Sequence, residues 1–254
     1  MGVFLYGVAS YAIFFVTYLY AIGFVGNIGV PRSIDSEPVV PLGAALVVNL
    51  ALLGMFAVQH SVMARPAFKK WWTKIVSRQA ERSTYVLISS VLLIAMFALW
   101  QPMGGIVWQV TDPVWIGIIY AVFACGWLLV LISTFLINHF DLFGLRQVWL
   151  YFRGKPYTPL KFGTPWLYKH IRHPLYLGWF MAFWAAPTMT VAHLVFAVAT
   201  TVYILIAIQF EERDLVKEHG EAYVNYRKTV PMVIPFARKR TDRAEATETG
   251  AAGQ

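Results

Sequence analysis

The chain is poor in cysteine and in charge, and each shortage excludes a class of protein. Its 254 residues contain one cysteine, Cys125, set inside an apolar run. A lone thiol builds neither an intrachain disulfide framework nor a cysteine-rich metal centre, so Cys125 reads as a small core or lipid-facing side chain. Charged residues are 13% of the chain, against about 25% in a soluble domain. No basic segment precedes the first apolar run and no small-x-small cleavage site follows it, so residues 4–27 are expected to remain as a span rather than be removed as a signal peptide. The sequence also lacks an internal repeat, the usual sign of an inverted-repeat transporter, and carries no charge midway along an apolar run.

What fills the chain instead is apolar: 58% hydrophobic and 16% aromatic residues. Spanning about 30 Å of hydrocarbon takes about 20 helical residues. Four runs reach that length, near 4–27, 41–64, 83–101 and 114–137. A fifth, Leu175 to Ala186, is too short alone and joins through Pro187 to a sixth near 190–210. The predicted fold class is therefore all-α, a polytopic membrane helix bundle of five to six transmembrane segments with a cytoplasmic pocket. The formal charge is +8, from 21 Lys and Arg against 13 Asp and Glu. No basic-aromatic module accompanies it, which argues against nucleic acid as a partner and leaves the lipid bilayer.

The basic residues cluster in the connections 65–82 and 138–172, whereas 28–40 and 102–113 are nearly neutral. By the positive-inside rule the basic connections and the C-terminus face the cytoplasm, which points to the inner membrane. Three regions are expected: an N-terminal four-helix membrane region, 1–137; a cytoplasmic loop, helical hairpin and C-terminal binding segment, 138–237; and a disordered tail, 238–254. The 138–172 connection is too aromatic for a free linker and is expected to pack as a lid over the cytoplasmic mouth.

Chemistry concentrates at the ends of the hairpin. Arg172-His173-Pro174-Leu175-Tyr176-Leu177-Gly178 opens it and Glu211-Glu212 closes it. Pro174 suits the first turn of a helix, which places Arg172 and His173 beside exposed amides that favour an anion. Tyr176 offers a ring and a hydroxyl, and Gly178 permits close approach of a backbone or a flat ligand. The carboxylates suit hydroxyls, an amine or a positive charge. The plainer alternatives are an interfacial anchor for the Arg-His pair and a solvated helix end, or pairing with Arg213, for the glutamates. Beyond them, Gly220 reads as a helix stop and Pro231 as a second break, with Tyr223 and Tyr226 on one face between.

These ordered motifs resemble the integral-membrane methyltransferases, a superfamily that includes isoprenylcysteine carboxyl methyltransferases and phospholipid N-methyltransferases. The resemblance covers about residues 165–235. It implies that S-adenosylmethionine binds from the cytosolic side, with roles for His173, Tyr176, Gly178, Glu211 and Glu212, and also for Arg172, Tyr223 and Tyr226. Gln59-His60-Ser61-x-Met63-Ala64-Arg65-Pro66, Glu81-Arg82-x2-Tyr85 and Asn138-His139-Phe140-Asp141-Leu142-Phe143-Gly144-Leu145-Arg146-Gln147 are similar to segments of the methanethiol S-methyltransferases, bacterial enzymes related to the NnrU membrane proteins. That resemblance implies a small volatile thiol as acceptor. A larger lipophilic acceptor (a prenylcysteine carboxylate or a phospholipid amine) and a non-catalytic NnrU-like role remain the alternatives. Thiol methylation needs a proton acceptor and no metal. The expected base is His139 oriented by Asp141, with His60 the competing choice. His193, near the opposite face, is expected to stand apart.

Overall fold

The computed structural model describes residues 1–234; the 238–254 tail lies outside the described residues. Five helices are long and apolar enough to cross a membrane: α1 (Gly2–Gly26), α2 (Leu42–Ala64), α4 (Glu81–Leu99), α5 (Pro113–Ile137) and α9 (Val191–His219). Between and after them lie α3 (Pro66–Trp72), α6 (His139–Leu142), α7 (Leu145–Phe152), α8 (Pro174–Trp184) and α10 (Glu221–Thr229). The one sheet among the described residues pairs β1 (Ile106–Gln109) with β2 (Thr188–Thr190), antiparallel, with Ile106 opposite Thr190 and Gln109 opposite Thr188.

Local chemistry sets the ends of these elements. Pro66 holds Arg65 extended, so α2 stops and α3 starts in a new direction. Asp112 caps α5 by accepting from the amides of Val114 and Trp115, and Pro113 takes the first helical position. Thr190 caps α9 through the His193 amide. The long helices stay apolar on their outer faces: Val47 and Val58 on α2 and Val114 on α5 remain more than half exposed. A helix that is hydrophobic all round matches a lipid surround. Inside, Phe24, Trp100, Met96 and Ala182 fill one core between α1, α4 and α8.

The hairpin keeps the outline of the sequence reading. The fifth apolar run forms α8, of 11 residues, about 16 Å long and roughly half a bilayer core. It starts beside the far half of α9 and ends with the Trp184 indole bonded to Thr201 (2.9 Å). Residues 185–190 then run extended into β2 and carry the chain to the opposite end of the bundle, where β1 receives it. Beyond the sixth apolar run, which ends near residue 210, α9 carries on to the stop expected at Gly220, which takes a positive φ of 57°.

All the basic connections meet at one end. There, Arg65 pairs with Asp214 (2.8 Å), Arg82 donates to the Leu142 carbonyl (2.9 Å) and Tyr6 donates to Thr84 (2.9 Å). At the other end Arg32 donates to the carbonyls of Ala98 and Trp100. Asp35 gathers Asn27, Thr190 and His193. His193 also bonds the Phe183 carbonyl (3.0 Å), so it fastens the hairpin at the end away from the glutamates. In the 138–172 connection α7 docks on α1 with Val148 against Gly7, Phe162 reaches over to His219, Tyr223 and Tyr226, and the Tyr168 carbonyl also meets Tyr226.

Candidate active site

The Arg-His and Glu-Glu ends of the hairpin are in direct contact. Arg172 Nε donates to Glu212 Oε1 at 2.7 Å and His173 Nε2 lies 3.1 Å from the same oxygen. All three side chains are buried. Arg172 also donates to the carbonyls of Arg227 and Val230, and its own amide and that of His173 donate to Pro231 and Met232. A buried guanidinium is stable only when its charge and its donors are both matched. Here one residue ties together the start of α8, the last third of α9 and the end of α10 with the segment after it. Glu212 thus supplies internally the anion that the sequence placed at the α8 N-terminus.

Glu211 faces another way. Its Oε2 accepts from the Tyr176 hydroxyl at 2.7 Å. Tyr168 stands close by, and burial together with the Glu211 charge pushes its phenol far above the ordinary range, so it remains a neutral O–H donor. Tyr226 donates to the Tyr168 carbonyl at 2.6 Å, and burial pushes it up to about 12. Tyr223 is buried against Phe162 and Tyr226. Glu211, Tyr168, Tyr176, Tyr223 and Tyr226 therefore form one corner, with a carboxylate at its head and aromatic walls.

From this corner a line of polar groups runs through the bundle toward α2 and α4. Tyr176 packs with Tyr203 around Ile204 and Ile208. Tyr203 Oη lies 3.2 Å from Ser61 Oγ. Next to Ser61, the His60 ring is stacked on Phe56 and has the Tyr85 hydroxyl 3.0 Å from both ring nitrogens. Ser89 sits 3.3 Å from His60 Nδ1 and donates to Gln59. Tyr203 carried no signal in the sequence, because its partner Ser61 is 142 residues away.

One expectation is corrected. His139 and Asp141 do not form a pair. Residues two apart on a helix point away from each other, and α6 is a four-residue helix that separates them in this way. Asp141 binds Arg146 (2.7 Å) and Tyr157. His139 is buried between Thr134, at 2.8 Å from Nδ1, and Tyr11, at 2.8 Å from Nε2. Thr134 spends its proton on the Leu131 carbonyl, so Nδ1 carries the imidazole proton and Nε2 accepts from Tyr11. Phe135 stacks on the ring at 4.2 Å, and burial holds the histidine below its usual range. Gly178 makes one of the two close approaches its sequence allowed, to a backbone: a Cβ there would lie 2.7 Å from the Gly126 carbonyl and 2.9 Å from the Val130 amide, so this glycine serves the contact of α8 with α5.

Among the described residues no group of three or more His, Cys, Asp or Glu is placed to hold a metal ion. An open groove of about 530 Å³ on the α1–α4 flank is lined by Ile13, Val16, Ile94 and Phe97. Its lining is almost wholly apolar.

No protein-family model and no solved structure matches the chain. Curated relatives do. The chain is 58% identical over 239 residues to a methanethiol S-methyltransferase of Crocosphaera subtropica, covering 94% of each protein. It is 53% identical over 237 residues to the methanethiol S-methyltransferase of Mycobacterium tuberculosis, covering 93% of this chain and 97% of that protein. More distantly, it is 31% identical over 176 residues to nurim of Xenopus laevis, covering 66% and 61% of the two chains. Identity of this depth along nearly the whole length places the chain in the methanethiol S-methyltransferase family.

Proposed function

We propose that the protein transfers a methyl group from S-adenosylmethionine to methanethiol, yielding dimethyl sulfide, at the basic end of a multi-pass membrane bundle. The observation that carries the reading is the relatives' common name over almost the full chain. The donor set suits it. The Glu211 carboxylate and the Tyr168 hydroxyl are matched to a ligand bearing an amine, hydroxyls and a positive charge, and the aromatic walls formed by Phe162, Tyr223 and Tyr226 suit a flat ring. In this reading Arg172, His173 and Glu212 hold the corner's shape, and Glu211, Tyr168, Tyr176, Tyr223 and Tyr226 line it.

When bound, such a donor supplies a methyl group on a positively charged sulfur; the new sulfur–carbon bond forms as the old one breaks, and a neutral thioether leaves. The protein's part is to hold a thiolate in line and to exclude water. A free thiol is mostly protonated near neutral pH, so a proton acceptor is required. His60 is the choice the geometry favours, because its ring stands on the polar line that reaches the Glu211 corner, whereas the partners of His139 lie on α1 and α5. Residues 1–137 then supply the base and residues after 138 the donor site. The charge pattern supports a cytoplasmic placement of this end.

Purified protein given methyl-labelled S-adenosylmethionine and methanethiol is expected to release labelled dimethyl sulfide. Label found in a phospholipid or a prenylcysteine ester, with none in dimethyl sulfide, would replace the thiol reading with the lipophilic one. Label transferred to neither would leave a non-catalytic membrane protein.

A further inference from the structure

Three tyrosine hydroxyls from three helices converge where α2, α4, α8 and α9 meet, and Tyr203 is the one whose proton is not tied to a carboxylate or a histidine. Tyr176 gives its proton to Glu211. The Tyr85 hydroxyl is engaged with the His60 ring. The one hydrogen-bond contact of Tyr203 among the described residues is Ser61 Oγ, a hydroxyl that can itself be the donor. With Ser61 donating, the Tyr203 proton is left to point toward the space between the other two. The placement is central: Tyr203 and Tyr176 pack against the same Ile204–Ile208 cluster, and Tyr203 touches Ser61, the neighbour of His60, on the other side. Tyr85 and Tyr203 are both within electrostatic reach of Tyr176.

We infer that the Tyr203 hydroxyl is a further catalytic group, donating to the sulfur of the bound acceptor and holding it as a thiolate between the Glu211 corner and His60. The inference rests on the proposed thiol methylation. The proton balance is simple: the thiol's S–H proton passes to the unprotonated imidazole nitrogen of His60 as Tyr85 gives way there, and the electron pair left on sulfur accepts from Tyr203. The charged groups around this space favour the anion. Arg65 and Arg82 lie near Tyr85, Arg65 also lies near Tyr203, and Arg82 lies 5.6 Å over the Tyr85 ring; Glu81 and Glu211 are the opposing charges. Without a phenol donor, thiolate formation would fall to His60 and this field alone.

The test compares wild type with Tyr203→Phe, which keeps the ring and removes only the hydroxyl. Donor affinity by calorimetry and kcat/KM for methanethiol are followed from pH 6 to 10. The expected result is unchanged donor affinity with kcat/KM about 10- to 100-fold lower near neutral pH, the size of a hydrogen bond to a charged group. That penalty should shrink as pH rises, because the thiol then ionises without help. Ser61→Ala should show a smaller penalty of the same pH dependence, since it only frees Tyr203 to turn. A Tyr203→Phe penalty that is constant with pH, a loss of donor affinity, or activity equal to wild type would each overturn the assignment. Wild type that forms no dimethyl sulfide fails at the first step and overturns the thiol reading itself, which keeps the two failures distinct.

Discussion

Glu211 and Glu212 are neighbours in sequence with separate tasks, and the difference is measurable. Glu212 is buried and shares Oε1 between Arg172 and His173, while Glu211 holds a tyrosine at the edge of the candidate donor site. Replacing Glu212 by Gln keeps the shape but leaves Arg172 buried without a counter-charge, which typically costs about 3–5 kcal/mol. The expected outcome is a marked fall in the thermal midpoint in detergent, with donor affinity lost as α10 loosens. Glu211→Gln is expected to keep the midpoint near wild type and weaken donor binding about tenfold or more, one charge-assisted hydrogen bond. Equal effects on stability from the two variants would refute the division. The histidines divide in a similar way. His60→Ala should retain donor binding and lose turnover, whereas His139→Ala should lower stability and leave turnover per folded molecule nearly intact. His139 has both ring nitrogens committed to Thr134 and Tyr11. A pH–rate profile that changes only in His139→Ala would restore it as the base.

Among the elements, α8 is the one whose position depends on absent atoms. Gly126 and Gly178 bring the backbones of α5 and α8 together: a Cβ on Gly126 would meet the Ala182 amide at 2.7 Å, and one on Gly178 would meet the Gly126 carbonyl at the same distance. Small residues at helix crossings are the usual way membrane helices approach closely. Gly178→Ala is therefore expected to lower stability by about 1–3 kcal/mol, the range for overpacking, and to lower the thermal midpoint. An unchanged midpoint would show that the crossing has slack. The sequence showed that residue 178 needed to be glycine for close approach but not what approaches, because α5 contributes Gly126 from 52 positions earlier. The spans were legible because lipid-facing helices are apolar all round, and the ends of α5, α8 and α10 because Pro, Asp and Gly mark them. Past residue 210 hydropathy no longer marks α9; its end was legible from Gly220, while the partners that hold its polar last turns, Arg65 and Arg172, were not.

On the scale of the whole molecule, the bundle is polarised along its axis. The candidate site, Arg65, Arg82, Arg146 and the basic connections share one end, while the other carries the Asp35–His193 cluster and the β1–β2 pair. At that far end, hydrogen bonds to Asp35 from His193 and Thr190 outweigh its burial and hold the carboxyl below its usual range, so it persists as an anion where few cations stand. The positive-inside rule turns this asymmetry into an orientation, and the single cysteine makes it testable. Cys125 is exposed on the lipid face of α5 and can be replaced by Ser to give a thiol-free background. Into it, Lys74→Cys at the basic end and Glu37→Cys at the other end each introduce one exposed thiol. A membrane-impermeant maleimide added to intact cells should label Cys at position 37 and spare position 74 until the membrane is opened. Donor made in the cytoplasm reaches the Glu211 corner only in that orientation, so the reverse labelling pattern would remove both the topology and the access route for S-adenosylmethionine.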